Sequence, residues 1–255
     1  MKEKALSVWR VVASFAVLAI LWQLAYQASP YPDALFPSPA ESIEALFGLS
    51  ASDRLWTDIA DSLYRYVVGY VLAAGSAVIL GLLLGWFTKV WKYVNPLVQF
   101  LRPISPMAWL PFIVLLFGIG DVPAIVIVFI AAFFPVLVGT VSAVNHVDPI
   151  YLKVARNFDL KSIDVLFKVV FPAAFPQIMA ALRTAIGTAW IFLVAGEMVG
   201  SQTGLGYLII DARNDLAADQ LLAAIIAIGI IGFILDTLVK HVEQKVLRSW
   251  GRKTA

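Results

Sequence analysis

Long unbroken runs of apolar residues, separated by short polar connections, organise this chain. A helix crosses a bilayer with about 20 such residues, and six runs qualify: Trp9 to Ala28, Ser62 to Phe87, Pro96 to Phe117, Val122 to Val144, Pro176 to Val199 and Leu221 to Val239. Apolar positions in them follow one another without period-two alternation, which disfavours a transmembrane barrel. The pattern predicts an all-α integral membrane protein of about six transmembrane helices, with residues 1–255 forming one domain.

Two connections depart from simple turns. The first, Pro30 to Asp61, carries Pro30, Pro32, Pro37 and Pro39; Ser38 and Pro39 suit the start of a short helix whose apolar face holds Ile43, Ala45, Leu46 and Phe47. It reads as an ordered surface connector or a contact for an outside partner. The second is the basic, amphipathic island YLKVARNFDLKSIDVLFKVVFPAAFPQI, Tyr151 to Ile178. Tyr151, Leu152, Ala155 and Phe158 lie close to one helical face, Asp159 and Leu160 mark a break, and Ile163, Leu166, Phe167 and Val170 continue an apolar stripe. Two short helices joined by a turn are predicted within a connection of residues 146–172, ended by Pro172 and Pro176. Periodicity alone leaves open whether this island docks a protein or is a generic amphipathic connector.

Basic residues gather on the cytoplasmic side of membrane proteins. With the N-terminus inside, that side holds Lys2, Lys4, Arg10, Lys89, Lys92, Lys153, Arg156, Lys161, Lys168, Lys240, Lys245, Arg248, Arg252 and Lys253. The opposite side holds Arg54 and Arg213 among nine acids, from Asp33 to Asp219. Both termini and the Tyr151 island are therefore expected in the cytoplasm. The first run follows Lys2, Lys4 and Arg10 as a signal peptide would, but no small-residue cleavage site follows Gln27, so an uncleaved anchor is expected.

Composition agrees and narrows the chemistry. Apolar residues make up 61% of 255 and charged residues 14%, and mean hydropathy is +0.86. A net charge of +2 gives no reason to expect nucleic acid, and the absence of cysteine removes thiol catalysis and thiolate metal sites. His146 and His241 lack a third ligand, so no metal is expected. No GxxxxGK[ST] run is present, so any nucleotide hydrolysis must be borrowed. Ser76 in AAGSAV has no histidine at matching depth and reads as packing rather than a protease nucleophile.

Charges and prolines inside the runs are the candidate functional residues, because both are costly in lipid. Pro103, Pro106 and Pro111 predict a bent third span, with Pro106, Met107, Ala108 and Trp109 either lining a path or packing within a kinked helix. Arg65 is the candidate for attracting an oxyanion, since a guanidinium matches two oxygens at once. Arg102 and Arg183 read as structural residues that snorkel to the cytoplasmic boundary, and Glu197 as a partner for a helix end or an arginine. Gly81 and Gly85 have the GxxxG spacing of close helix packing.

The run KVARNFD, followed after a fixed interval by VVFPAAFP, resembles the cytoplasmic signature loop of ABC importer permeases, in which Glu-Ala-Ala leads to a glycine and then to an apolar-x-Leu-Pro ending. Here the signature falls on Lys153, Val154 and Ala155, on Asp159, and on Val169, Phe171 and Pro172. Lys153 stands in place of glutamate, Val154 of alanine and Asp159 of glycine; aspartate tolerates a left-handed turn, whereas the charge at Lys153 is reversed. The resemblance extends from about Phe36 to Arg248 through the blocks LFPSPAESIEAL, DSLYRYVVGYVLAAGSAVILGLLLGW, LRPISPMAWLPFIVLLFGIGD, AFFPVLVGTVSAVNHVDP, GTAWIFLVAGEMVG and GLGYLIIDARNDLAADQLLAAIIAIGIIG, which are similar to permeases of the nitrate, taurine and alkanesulfonate branch.

That resemblance implies a type I importer fold with cytoplasmic coupling helices. It implies a homodimer in the bacterial inner membrane, working with two cytoplasmic ATP-binding subunits and an extracytoplasmic solute-binding protein. ATP and Mg would be used by the partner, with no cofactor on this chain. It places ATPase docking at Lys153, Val154, Ala155, Arg156, Phe158, Asp159, Leu160, Lys161 and Pro172. A translocation path is expected along Arg65, Pro106, Met107, Trp109, Trp190 and Glu197. The expected cargo is an alkanesulfonate, taurine-like or other small oxyanion; nitrate, bicarbonate or a vitamin precursor are alternatives within the branch, and an ATP-independent secondary transporter or channel is the alternative outside it.

Overall fold

A computed structural model describes residues 2–32, 35–158 and 161–249. The regular elements among them are helices. Helix α1 (Lys2–Ala28) has its apolar part at Ala13–Ala28 and makes its main contact with α2. Helix α2 (Pro39–Ala51) starts where Ser38 and Pro39 suggested. The Ser38 backbone N–H donates to Glu41 Oε2 at 2.7 Å and the Glu41 N–H donates back to Ser38 Oγ at 3.3 Å, so two orphan donors of the first turn are satisfied reciprocally.

The body is built from α3 (Arg54–Trp86), α6 (Asp121–Asn145) and α9 (Phe171–Gly200). Gly69, Ala73, Ala77, Gly81 and Gly85 repeat every four residues on α3, and all are buried. They let α6 approach until a Cβ added at Gly81 would sit 2.6 Å from Thr140 Cβ and 3.1 Å from the Leu137 carbonyl. In lipid, where tails are as apolar as side chains, such contact supplies much of the attraction between helices. On the next face of α3, the Tyr66 and Tyr70 hydroxyls donate to the Ile186 and Leu182 carbonyls of α9 at 3.0 and 2.8 Å.

The expected span from Pro96 to Phe117 is instead two helices. Helix α4 (Thr88–Leu101) and α5 (Pro106–Phe117) meet at 88° across a four-residue break. Pro103 and Pro106 lack the amides that would continue α4, whereas Pro111 and Pro96 stay inside helices. Among the described residues, four helices are long and apolar enough to cross a membrane, and the bent pair makes a fifth crossing if it acts as one span.

The connection of residues 146–172 also differs from expectation at its far end. After α7 (Pro149–Asn157), α8 (Ser162–Val165) does not stop at Pro172. It runs through a π-helical turn, Leu166–Val170, directly into α9, making one helical rod of 39 residues. A wide turn placed just before Pro172 relieves the clash between the proline ring and the carbonyl four residues earlier, so the proline is carried without a stop. Helices α10 (Leu205–Asn214) and α11 (Ala218–Ser249) close the fold, with α11 packed on α2, α9 and α10. Arg183 of α9 reaches Glu243 at 3.2 Å and Asp236 at 3.8 Å on α11.

Close approach of α3 and α6 predicts that Gly81→Leu destabilises the protein by about 1–3 kcal/mol or more through overpacking. Gly75→Leu, where an added Cβ meets nothing within 4 Å, is expected to leave thermal unfolding in detergent nearly unchanged.

Candidate functional site

Three places in the fold combine residues that neither lipid nor an apolar core explains. The first is a polar knot at the end of the bundle where α6 begins. Arg65 of α3 is 2% exposed, and Glu197 of α9 is 0% exposed. Arg65 Nη1 donates to Glu197 Oε1 at 2.8 Å and to the Thr203 carbonyl at 2.7 Å, its Nε donates to Asp121 Oδ1 at 2.7 Å, and its Nη2 donates to Thr203 Oγ1 at 2.5 Å. Ser62, one turn before Arg65, donates to the Glu197 carboxylate at 2.8 Å and accepts from the Leu205 amide at 2.9 Å.

The knot also solves the start of α10. Gly204 has no side chain with which to cap that helix, so acceptors arrive from elsewhere: Ser62 takes the Leu205 amide, Glu197 the Gly206 amide at 3.0 Å, and Asp58 the Gly204 amide at 2.8 Å. Gly204 sits at φ +99°, and a Cβ there would fall 2.5 Å from Glu197 Oε1 and 2.6 Å from Arg65 Nη1. Only glycine combines that backbone with that proximity. Near by, the Gly120 amide donates to the Gly200 carbonyl at 2.8 Å and Ser201 Oγ to the Gly120 carbonyl at 3.1 Å, which pins the α5–α6 turn to the end of α9. Arg54 pairs with Asp211, joining α3 to α10.

Arg65 and Glu197 were expected along a path. The structure buries both in protein, with the Nε and both terminal nitrogens of Arg65 already donating, so their work is to tie α3, α6, α9 and α10 together. Trp190 is likewise withdrawn. It is 6% exposed, stands edge-on to Tyr66 at 5.5 Å, and donates from Nε1 to the Ile228 carbonyl of α11 at 3.3 Å. Bulk and burial make it a core residue.

The second place is the α4–α5 break. Pro106 opens α5, and Met107 and Trp109 pack half-buried against a small apolar cluster of Leu110, Ile113 and Ile127. Gly118 and Gly120, both at positive φ, turn the chain from α5 into α6.

The third is α7. Ala155 is 2% exposed and sits in an apolar cluster with Leu82, Val144, Val165, Leu166 and Val170, so it anchors the helix to its own chain rather than facing a partner. The opposite face is open: Ile150, Tyr151, Val154 and Phe158 are exposed, Phe158 to 72%. Lys153 and Lys161 are exposed beside it, while Pro172 is half-buried at the start of α9. Asp159, Leu160 and the side chain of Arg156 lie outside the described residues. Trp86 Nε1 donates to Ser162 Oγ at 3.1 Å, joining the end of α3 to α8.

Sequence reading overlooked Asp58, Ser62 and Thr203 in the knot. Their signal was present: Asp58, Ser62 and Arg65 share one face of α3 at three-to-four spacing, and polar residues on one face of an apolar helix call for polar partners.

A helical body with a broken span and a protruding amphipathic helix at one end has the form of a membrane transport subunit. Comparison with known proteins carries this further. Over 237 residues the chain is 36% identical to a putative ABC transporter permease of Methanocaldococcus jannaschii, covering 90% of this chain and 88% of that one. It is 32% identical over 233 residues to a putative aliphatic sulfonates transport permease of Bacillus subtilis (91% and 84% covered) and 34% identical over 239 residues to a nitrate import permease of Leptolyngbya laminosa (92% and 86%). Among solved structures, an inward-facing methionine ABC transporter superposes with a TM-score of 0.61 at 19% identity, covering 79% of this chain and 96% of that one. The profile of binding-protein-dependent transport system inner membrane components matches residues 77–248, and the chain belongs to that family. It is an ABC importer permease, a transport component of the membrane.

Removing one member of a buried ion pair leaves the other charge uncompensated, at a cost of about 3–5 kcal/mol. Arg65→Met is therefore expected to lose most of its folded yield, and adding Glu197→Met to recover part of it. Protease resistance at residues 201–205, compared between the single and double variants, checks the coupling.

Proposed function

We propose that this chain is the membrane-spanning subunit of an importer for a small oxyanion, acting as a pair of identical copies with two cytoplasmic ATP-binding subunits and an outside binding protein. The observation that carries the reading is the open apolar face of α7, Ile150, Tyr151, Val154 and Phe158, on a helix otherwise held firmly by Ala155. An exposed patch of this kind on a short helix beyond the spans fits a hydrophobic groove on a partner. Lys153 and Lys161 support a cytoplasmic α7, with both termini inside. ATP and Mg²⁺ belong to the partner in this reading, and this chain holds no cofactor of its own.

The mechanical route follows from the contacts. A push on α7 passes through Ala155 to Val165, Leu166 and Val170, and so to the base of α9. The Trp86 to Ser162 hydrogen bond carries the same displacement to α3. At its other end α9 is fixed by Glu197 in the polar knot, so motion at the loop end is delivered as rotation of a rigid unit rather than bending. The π-helical turn before Pro172 lies between the docking loop and that rigid unit.

Relatives named for aliphatic sulfonates and for nitrate support an oxyanion as cargo. The acids of the outer connections favour delivery by a docked carrier over capture of free anions.

Replacing Phe158 by aspartate is expected to release the ATP-binding subunits on purification and to abolish uptake while the permease stays folded. Ala155→Asp, by contrast, is expected to unfold the loop itself. Retention of the ATPase by a folded Phe158→Asp variant would remove the docking role from this face.

A further inference from the structure

Where α4 gives way to α5, a cavity of about 230 Å³ opens. Arg102, Ser105 and Pro106 of the break line it, with Phe134 from α6 and Thr188 and Phe192 from α9. Its depth follows from helix rise. Thr188 precedes the end of α9 at Gly200 by roughly 18 Å, and Phe134 follows the start of α6 by about 20 Å, at 1.5 Å per residue. The cavity therefore lies well inside the bundle, away from the end that holds the polar knot.

Arg102 is exposed where it lines this cavity. Arg54, Arg65 and Arg183 each meet a carboxylate, whereas the Arg102 side chain makes no ion pair or hydrogen bond among the described residues. An exposed guanidinium without a carboxylate partner keeps its donors free for an anion that enters the cavity. The break adds to the positive field, because the N-terminal end of α5, with its partial positive charge, begins at Pro106 on the same cavity wall. Thr188 contributes a hydroxyl, and Phe134, Phe192 and Pro106 contribute apolar wall. The volume is several times the roughly 30 Å³ share of one water molecule, room for a group of a few heavy atoms.

We propose that this cavity is the transit subsite of the permease, in which Arg102 takes the oxyanion head of the solute while the aromatic wall holds a short apolar tail. The assignment rests on the oxyanion reading above. It places recognition on a broken helix, where backbone freed from helical bonding meets the solute inside protein.

Because the chain contains no cysteine, Thr188→Cys, with Ser105→Cys as a second position, puts a lone thiol at the cavity of the full-length permease in membrane vesicles. Two methanethiosulfonates serve as probes, one ending in sulfonate and one in trimethylammonium, each rate normalised to that with a small free thiol. The sulfonate probe is expected to be favoured by about tenfold or more, as a neighbouring unit charge gives at the effective dielectric of a partly exposed site. Arg102→Gln is expected to erase that preference. Equal normalised rates, a preference indifferent to Arg102→Gln, or thiols that neither probe reaches at either position overturn the proposal. Uptake of ethanesulfonate and nitrate by the assembled transporter separates this from the oxyanion reading. A labelling preference with no uptake of either anion sinks that reading and leaves the anion cavity standing, whereas uptake unaltered by Arg102→Gln sinks the cavity's role in transit.

Discussion

Lipid offers no hydrogen bonds, and that deficit governs the molecule at each point where the chain departs from a straight apolar helix. An amide or carbonyl released inside a membrane must find a partner within the protein. The first turn of α10 shows the solution most fully: its amides are received by Ser62 of α3 and Glu197 of α9, and the charge this brings in is answered by Arg65. Once that set is assembled, losing one member leaves a buried donor or acceptor short of a partner. A polar knot of this kind contributes specificity more than net attraction, fixing which helix meets which and at what height.

The same rule shapes the two other departures. At the loop end, the α8–α9 rod accommodates Pro172 by widening one turn, which keeps the rod continuous. Between α4 and α5 the chain is unwound and bent, and it borders one cavity together with α6 and α9. Between these points the helices touch through small side chains, so the α3, α6 and α9 body resists deformation and passes displacement along its length. A stiff centre and one open apolar helix are parts that an alternating-access device uses.

Much of this was legible in the residues. Apolar runs gave the helices of the body, since spanning length depends on composition alone; Ser38, Pro39 and Glu41 announced α2, since capping is decided within four residues. The periodicity of Tyr151, Val154 and Phe158 announced α7 in the same way. The uses of Ala155, Arg65 and Trp190 were misread for a common reason. Each has a local pattern compatible with two environments, and only the neighbour brought in from a distant segment chooses between them. Ala155 faces inward because Val165 and Leu166 fold back over it, and Arg65 is spent because Glu197 lies at its height.

By itself, then, the order of residues determined what short-range physics settles: that the chain lies in a membrane as helices, where they begin, and which short loop helix carries an apolar stripe. Tertiary structure alone decided which charges are satisfied and which remain open. A charge 132 positions away, as Glu197 is from Arg65, is invisible to any local pattern, and in a medium without water that distant partner determines whether an arginine is a strut or a site.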